Sequence, residues 1–133
     1  MTRALAFVLL AGCVHPSSAP PDHCGGCADD LVCTRDSRCL PPDEVRAIHV
    51  TWTVSGAPAG PTSCAPAPDL VLDLSRRTGG HLGFEPVPCV EGVFTVDRLS
   101  IEYDTVQLGR ASDRALQRAA IDAAGNAMLD LPY

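Results

Sequence analysis

Cysteine placement constrains this chain more than any other feature. Seven cysteines occur in 133 residues, and four of them crowd into CGGCADDLVCTRDSRC as Cys24, Cys27, Cys33 and Cys39. The others are Cys13, Cys64 and Cys89. A segment that short cannot bury a useful core, so covalent links or a metal must fix it. Seven is also an odd number, and in an exported chain an odd cysteine needs its own explanation.

The N-terminus supplies one. In MTRALAFVLLAGC a single arginine precedes an apolar run, Ala4 to Ala11, that is interrupted by neither charge nor proline. The run is much shorter than the roughly 20 residues a helix needs to cross a bilayer. A positive start, a short apolar stretch and small residues after it form the layout of a secretory signal peptide. Leu10-Ala11-Gly12-Cys13 resembles the lipobox of bacterial lipoproteins, and every position fits. The resemblance implies a signal peptide over residues 1–12, cleavage before Cys13, and a lipid on Cys13 that anchors the protein to a membrane of the cell envelope, facing the periplasm or the exterior. Val14 differs from the aspartate that retains some lipoproteins in the inner membrane, which implies the outer membrane in a Gram-negative cell. The ordinary alternative is a signal peptide cleaved after a small residue, with Cys13 incidental. Lipidation removes Cys13 from the count and leaves six cysteines, the number for three disulfides in an oxidising compartment.

About 120 residues then remain, enough for one small domain and an appendage. The formal net charge is −6, and every basic residue is arginine. With abundant Ala, Pro and Gly, that composition looks like the codon bias of a GC-rich bacterial genome. It provides no basic stripe for nucleic acid. No polybasic segment adjoins Cys13 to bind lipid headgroups, so anchoring falls to the lipid. Residues 13–22, the cysteine and VHPSSAPPD, are rich in proline and serine and read as a tether.

Residues 23–42 admit three readings. Four thiolates, with His23 as an alternative ligand, could hold zinc; zinc-ribbon ligand pairs, however, are usually separated by a longer loop. Cys24-Gly25-Gly26-Cys27 resembles the redox motif of thioredoxin-like proteins, but that chemistry calls for a strand before it and a helix after it. The third reading, a two-disulfide knot, is preferred, and the segment looks like the small cysteine-rich stretches that follow the tether in exported bacterial proteins. Six cysteines allow fifteen connectivities. A Cys24–Cys27 bridge would close a small strained ring, which favours Cys24–Cys33 with Cys27–Cys39 and leaves Cys64–Cys89.

Over residues 43–133 the pattern changes to period two. In IHVTWTVSG, Ile48, Val50, Trp52 and Val54 share one face and His49, Thr51 and Thr53 the other, which predicts a half-buried strand. DLVLDLS places Leu70, Leu72 and Leu74 together. HLGFEPVPC carries Pro86 and Pro88, so it suits an edge strand. VFTVDRL and IEYDTVQL predict two more strands. The turn-rich SGAPAGPTS, SRRTGGH and CVEG separate these runs, so the expected fold class is all-β, a small antiparallel sandwich. Residues 112–131 stay open between two forms. Ser112 as N-cap and Gly125 past the end would suit a helix. A hairpin turning at Ala124-Gly125-Asn126, with Ile121 and Leu129 buried, suits the context better.

DRLSIEYDTVQL, with Leu99 four residues before Tyr103, resembles the tyrosine-corner region of immunoglobulin and fibronectin type III domains. AAIDAAGNAML is similar to the closing hairpin of bacterial immunoglobulin-like repeats. These resemblances imply an immunoglobulin-like architecture and no particular ligand. Cys64 and Cys89 depart from the antibody pattern, since they fall at strand ends or loops.

Residues with chemical potential are scattered. The histidines are His15 in the tether, His23, His49 on an outer strand face, and His81. No G-x-S-x-G occurs, and Ser55 and Ser100 sit in turn-like contexts. Asp29-Asp30 read as solvated, while Asp69 and Asp73 read as a polar outer face. Trp52 is expected at the core centre, with a sugar-stacking platform as its alternative. The sequence therefore names no catalytic residue, no metal ligand and no cofactor. It points to a non-enzymatic binding or structural module, anchored to a membrane through the lipid on Cys13, with a protein or carbohydrate ligand and no nucleic acid. The alternative is a small exported inhibitor or sensor that binds a protein through the knot, and a third reading is an envelope enzyme or metal carrier.

Overall fold

The computed structural model describes residues 24–133. The leader, Cys13, the tether, His15 and His23 lie outside the described residues. The cysteine-rich segment forms a two-stranded unit from β1 (Val32–Cys33) and β2 (Cys39–Leu40). A single turn at Pro42–Glu44 leads into β3 (Val45–Val54). The short β4 (Ala57–Pro58) folds back on the end of β3. Then come β5 (Asp69–Arg76), β6 (His81–Pro88), β7 (Val93–Ser100), β8 (Tyr103–Gly109), β9 (Gln117–Ala120) and β10 (Asn126–Leu131).

These strands make a sandwich of the immunoglobulin-like kind. One sheet has β3 between β10 and β7, and the other runs β6-β5-β8-β9. Alternation places the inner face as the sequence predicts. Ile48, Val50, Trp52 and Val54 are at most 3 % exposed, and Leu70, Leu72 and Leu74 at most 1 %. Val96, Leu99, Val106, Leu108, Leu129 and Leu131 belong to the same core. Phe84 and Phe94 meet with ring centroids 4.9 Å apart. As its prolines require, β6 lies at a sheet edge, where a missing N–H costs no ladder bond.

Every ladder is antiparallel except that of β10 and β3, which is parallel and in register from Asn126↔His49 to Leu131↔Val54. The cause lies in residues 121–125. The region forms strands with Ile121 and Leu129 buried and no helix. The expected hairpin closes only at its turn, where the Asp122 N–H donates to the Asn126 carbonyl at 2.9 Å. Beyond it, β9 pairs with β8 and β10 with β3, so the chain crosses from one sheet to the other. Arg46 holds this crossing. Its guanidinium donates to the carbonyls of Asp122 (2.7 Å), Ala123 (3.0 Å) and Tyr103 (2.8 Å).

Strand directions define two poles. β3 leaves the cysteine-rich unit and runs about 30 Å for its ten residues, at the usual rise per residue. The turns after β5 and β7 and the β9–β10 crossing share the knot pole. Residues 55–68, 89–92 and 110–116 and the end of β10 gather at the far pole.

Candidate functional site

Among the described residues three disulfides are present: Cys24–Cys33, Cys27–Cys39 and Cys64–Cys89. This is the interleaved connectivity favoured by spacing. The sulphurs of Cys24, Cys27 and Cys33 lie within 4.8 Å of one another. The two adjacent bridges account for that proximity, and a bridged sulphur has no thiolate to give a metal. Asp29 and Asp30 are exposed in a turn. His81 is exposed, and His49 Nδ1 lies 3.0 Å from Thr95 Oγ1 on the outer face. Ser55 Oγ donates to the Tyr133 carbonyl at 2.6 Å, while Ser100 Oγ accepts from the Glu102 N–H at 3.2 Å. Asp73 lines an open concavity of about 590 Å³ on the outer face of β5 and β6, with Val71, Gly83 and Glu85. Trp52 is 3 % exposed, and its indole N–H donates to the Cys89 carbonyl at 2.9 Å. It belongs to the core and is covered on the side a sugar would need.

The knot docks on the sandwich through the loop TRDSR. Thr34 is buried and organises this loop: its Oγ1 donates to Asp36 (2.6 Å) and lies 2.9 Å from the Arg38 carbonyl, and the Arg38 N–H returns a bond at 3.1 Å. The Arg35 N–H donates to the Arg98 carbonyl at 3.0 Å, and the Arg35 guanidinium reaches Asp97 at 2.7 Å. Arg38 pairs with Glu102 at 2.8 Å. Arg35 beside it holds the Asp97 carboxyl below the usual carboxylate range, and Glu102 raises the Arg38 pKa.

Tyr103 stands at the centre of the junction. Leu99, four residues earlier, is fully buried, in keeping with the tyrosine-corner resemblance. The phenol nevertheless does not bond to a nearby backbone group. It donates to Asp36 Oδ2 of the knot at 3.2 Å, and Arg76 lies 3.7 Å from the same oxygen. Burial, reinforced by the Asp36 charge, pushes the Tyr103 pKa up to about 12. A phenol pKa raised by folding contributes stability that is complete below its unfolded value near 10 and is lost as pH climbs through 12. Between pH 9.5 and 12, wild type should lose about 2–3 kcal/mol more than Tyr103→Phe in urea unfolding. Equal losses would show that this phenol is not the responsible group.

The far pole carries the other notable feature, an open concavity of about 570 Å³. Val54, Pro58, Pro61, Thr62, Pro66 and Tyr133 shape it, and no Asp, Glu, Arg or His lines it. Its loop is held firmly. The Cys64–Cys89 bridge ties it to the start of the next sheet crossing, and both cysteines are at most 1 % exposed. Ser63 Oγ donates to the Pro58 carbonyl at 2.8 Å, and the Cys64 N–H to that of Gly60 at 2.9 Å. Tyr133 is fixed in turn. Its hydroxyl donates to Asp113 and accepts from the Arg110 N–H at 2.9 Å, while the Arg110 guanidinium lies 4.5 Å from its ring centre. This bond from Tyr133 is the main reason the Asp113 carboxyl titrates low. By sequence, SGAPAGPTS is a turn-rich separator. The signal available was its density of Pro and Gly around a cysteine, which fits a braced loop as well as a linker.

No family model, curated protein or solved structure matches this chain.

Proposed function

We propose that the protein is a lipid-anchored, non-enzymatic module of the cell envelope that presents the far pole of its sandwich to a neutral protein or carbohydrate ligand. The observation that carries this reading is polar: the chain enters at the knot, and the braced concavity, lined by no charged side chain, lies at the opposite pole. An anchor on Cys13 would set the knot towards the bilayer and the concavity away from it. Loops fixed by a disulfide and backbone bonds lose little entropy on binding, which favours recognition by a standing surface. Proline rings and one tyrosine offer apolar faces for a planar or apolar group, and the lack of charge favours an uncharged one. Among the described residues no helix is long and apolar enough to cross a membrane, so the anchor in this reading is the lipid. An inhibitor acting through the knot draws less support. Among the described residues the exposed large apolar side chains are Val90, Val93, Ile101 and Met128, none of them in the knot, and Leu40 is buried.

Replacing Cys13 with Ser tests the anchor. The variant should move from the detergent-extracted membrane fraction to the soluble exported fraction, and wild type should carry the added mass of the lipid on Cys13. A wild-type protein without that mass, or a variant that stays with the membrane, would remove the anchor and the display geometry built on it.

A further inference from the structure

The three disulfides sit in contrasting surroundings. Cys64 and Cys89 are buried at 1 % and 0 % exposure. Cys24, Cys27, Cys33 and Cys39 are all half-buried, so each keeps part of its surface in solvent. Exchange requires a thiolate to approach a sulphur, so access separates the two groups.

The knot also has little besides its bridges to keep it folded. Thr34 and Leu40 are its buried residues, and each of its strands is two residues long. A hairpin of that size does not persist unaided in water. Its side-chain bonds to the sandwich come from Arg35, Asp36 and Arg38, all in the loop between Cys33 and Cys39. Both bridges thus anchor the loop that docks. The ion pairs on it are partly solvated, too weak to hold an unrestrained chain in place. The sandwich contributes Arg76, Asp97, Glu102 and Tyr103 from its own strands and turns, and its own bridge lies at the other pole.

From this contrast we infer that the knot is a redox-releasable cap: a dithiol reductant opens Cys24–Cys33 and Cys27–Cys39, the segment 24–40 leaves the sandwich, and the face around Arg76 and Tyr103 is uncovered while Cys64–Cys89 stays closed. The chemistry is thiol–disulfide exchange. A thiolate of the dithiol attacks one bridge sulphur, the S–S bond breaks, and the departing cysteine leaves as thiolate. The second thiol of the reductant then displaces the mixed disulfide. Two electrons and two protons pass to each bridge, giving two cysteine thiols and one oxidised dithiol. Because the sulphurs of Cys24, Cys27 and Cys33 lie within 4.8 Å, a thiol freed from the first bridge stands next to the second. Internal exchange then joins the two bridges into one reducible unit. The inference holds whether or not Cys13 carries a lipid.

The test uses the oxidised full-length Cys13→Ser chain, whose six remaining cysteines are all bridged in the fold. It is titrated with dithiothreitol under native conditions, alkylated at each step and mapped by mass spectrometry, with amide hydrogen exchange followed in parallel. Cys24, Cys27, Cys33 and Cys39 should be alkylated together, at a dithiothreitol concentration at least tenfold below that needed for Cys64 and Cys89. In the same interval exchange at Thr34 to Arg38 should quicken by at least a hundredfold while β3, β5 and β8 keep their protection. Appearance of all six thiols in a single step would overturn the proposal. So would four thiols with exchange at 34–38 unchanged, because the cap would then dock without its bridges.

Discussion

Gly125→Ala should unfold or nearly unfold the protein, with a loss of about 4 kcal/mol or more in urea denaturation. Gly125 sits in the crossing between β9 and β10 with φ +90°, a conformation that an L side chain adopts only with strain. The larger effect is contact. A β-carbon there would lie 2.2 Å from the carbonyl oxygen of Ala47. That oxygen is backbone of the central strand, and no rotamer can move it aside. The Gly125 carbonyl meanwhile accepts the His49 N–H at 2.8 Å, the first bond of the parallel ladder. Relief of the clash would require β10 to move off β3 and expose Ala127, Leu129 and Leu131. Since whole domains are stable by only about 5–15 kcal/mol, such a loss is a large share of the total. Gly56→Ala is the matched control. Gly56 has φ +75° but nothing within 4 Å of a new β-carbon, so it should lose only the conformational part, about 1–2 kcal/mol. Equal midpoints for the two variants would mean that the approach of Gly125 to Ala47 does not hold the sheet together.

The same crossing marks the limit of what the sequence discloses. Alternation in Ile48 to Val54 and in Leu70 to Leu74 reports faces, because successive side chains point to opposite sides of a sheet. Face is a local property, and the burial follows it residue by residue. Alternation in AIDAAGNAMLDL likewise buries Ile121, Ala127, Leu129 and Leu131. It does not reveal which sheet receives the second half of the segment. Arg46 decides that, 76 residues before the Asp122 carbonyl it grips, together with the close approach of Gly125 to Ala47. Neither contact leaves a local mark in the sequence.

Polar contacts between distant segments were hidden for a related reason. TRDSR looks like an ordinary solvated loop, and Tyr103 like a corner tyrosine bonded to its neighbourhood. Only the return of β5, β7 and β8 to the knot pole brings Arg76, Asp97 and Tyr103 against that loop. The bridges were more accessible to reasoning, since ring size and six cysteines restrict the choices. At the far pole, the prolines of residues 58–66 foretell turns but do not foretell that their faces line one hollow with Tyr133.

Trp52→Ala should be the other severe change, costing about 3–5 kcal/mol in the same denaturation assay. Trp52 pairs across β3 with Leu129 of β10 and is 3 % exposed, so its loss leaves a cavity between the sheets that neighbouring strands cannot close. The truncation also removes one of the two hydrogen bonds that a buried carbonyl accepts. Its indole N–H is the donor to the Cys89 carbonyl, and Cys89 is wholly buried. Trp52→Phe separates the two contributions. It keeps most of the apolar volume and removes the donor; the Cys89 carbonyl keeps the Gly92 N–H at 3.2 Å, so about 1 kcal/mol, the net worth of one hydrogen bond, should be lost. Cys64→Ala with Cys89→Ala should cost about 2–5 kcal/mol, as expected for a native bridge in a small domain. Combined with Trp52→Phe it should cost less than the sum, because both changes free the same residue 89 backbone. A tryptophan serving as a platform for sugar rings would behave otherwise. Its replacement by alanine would change stability by under about 0.5 kcal/mol, as at exposed sites generally, and its effect would be seen in binding alone. The position of Trp52 between two sheets, with its one polar atom committed to residue 89, places its role in holding the sandwich shut at the pole where the concavity opens.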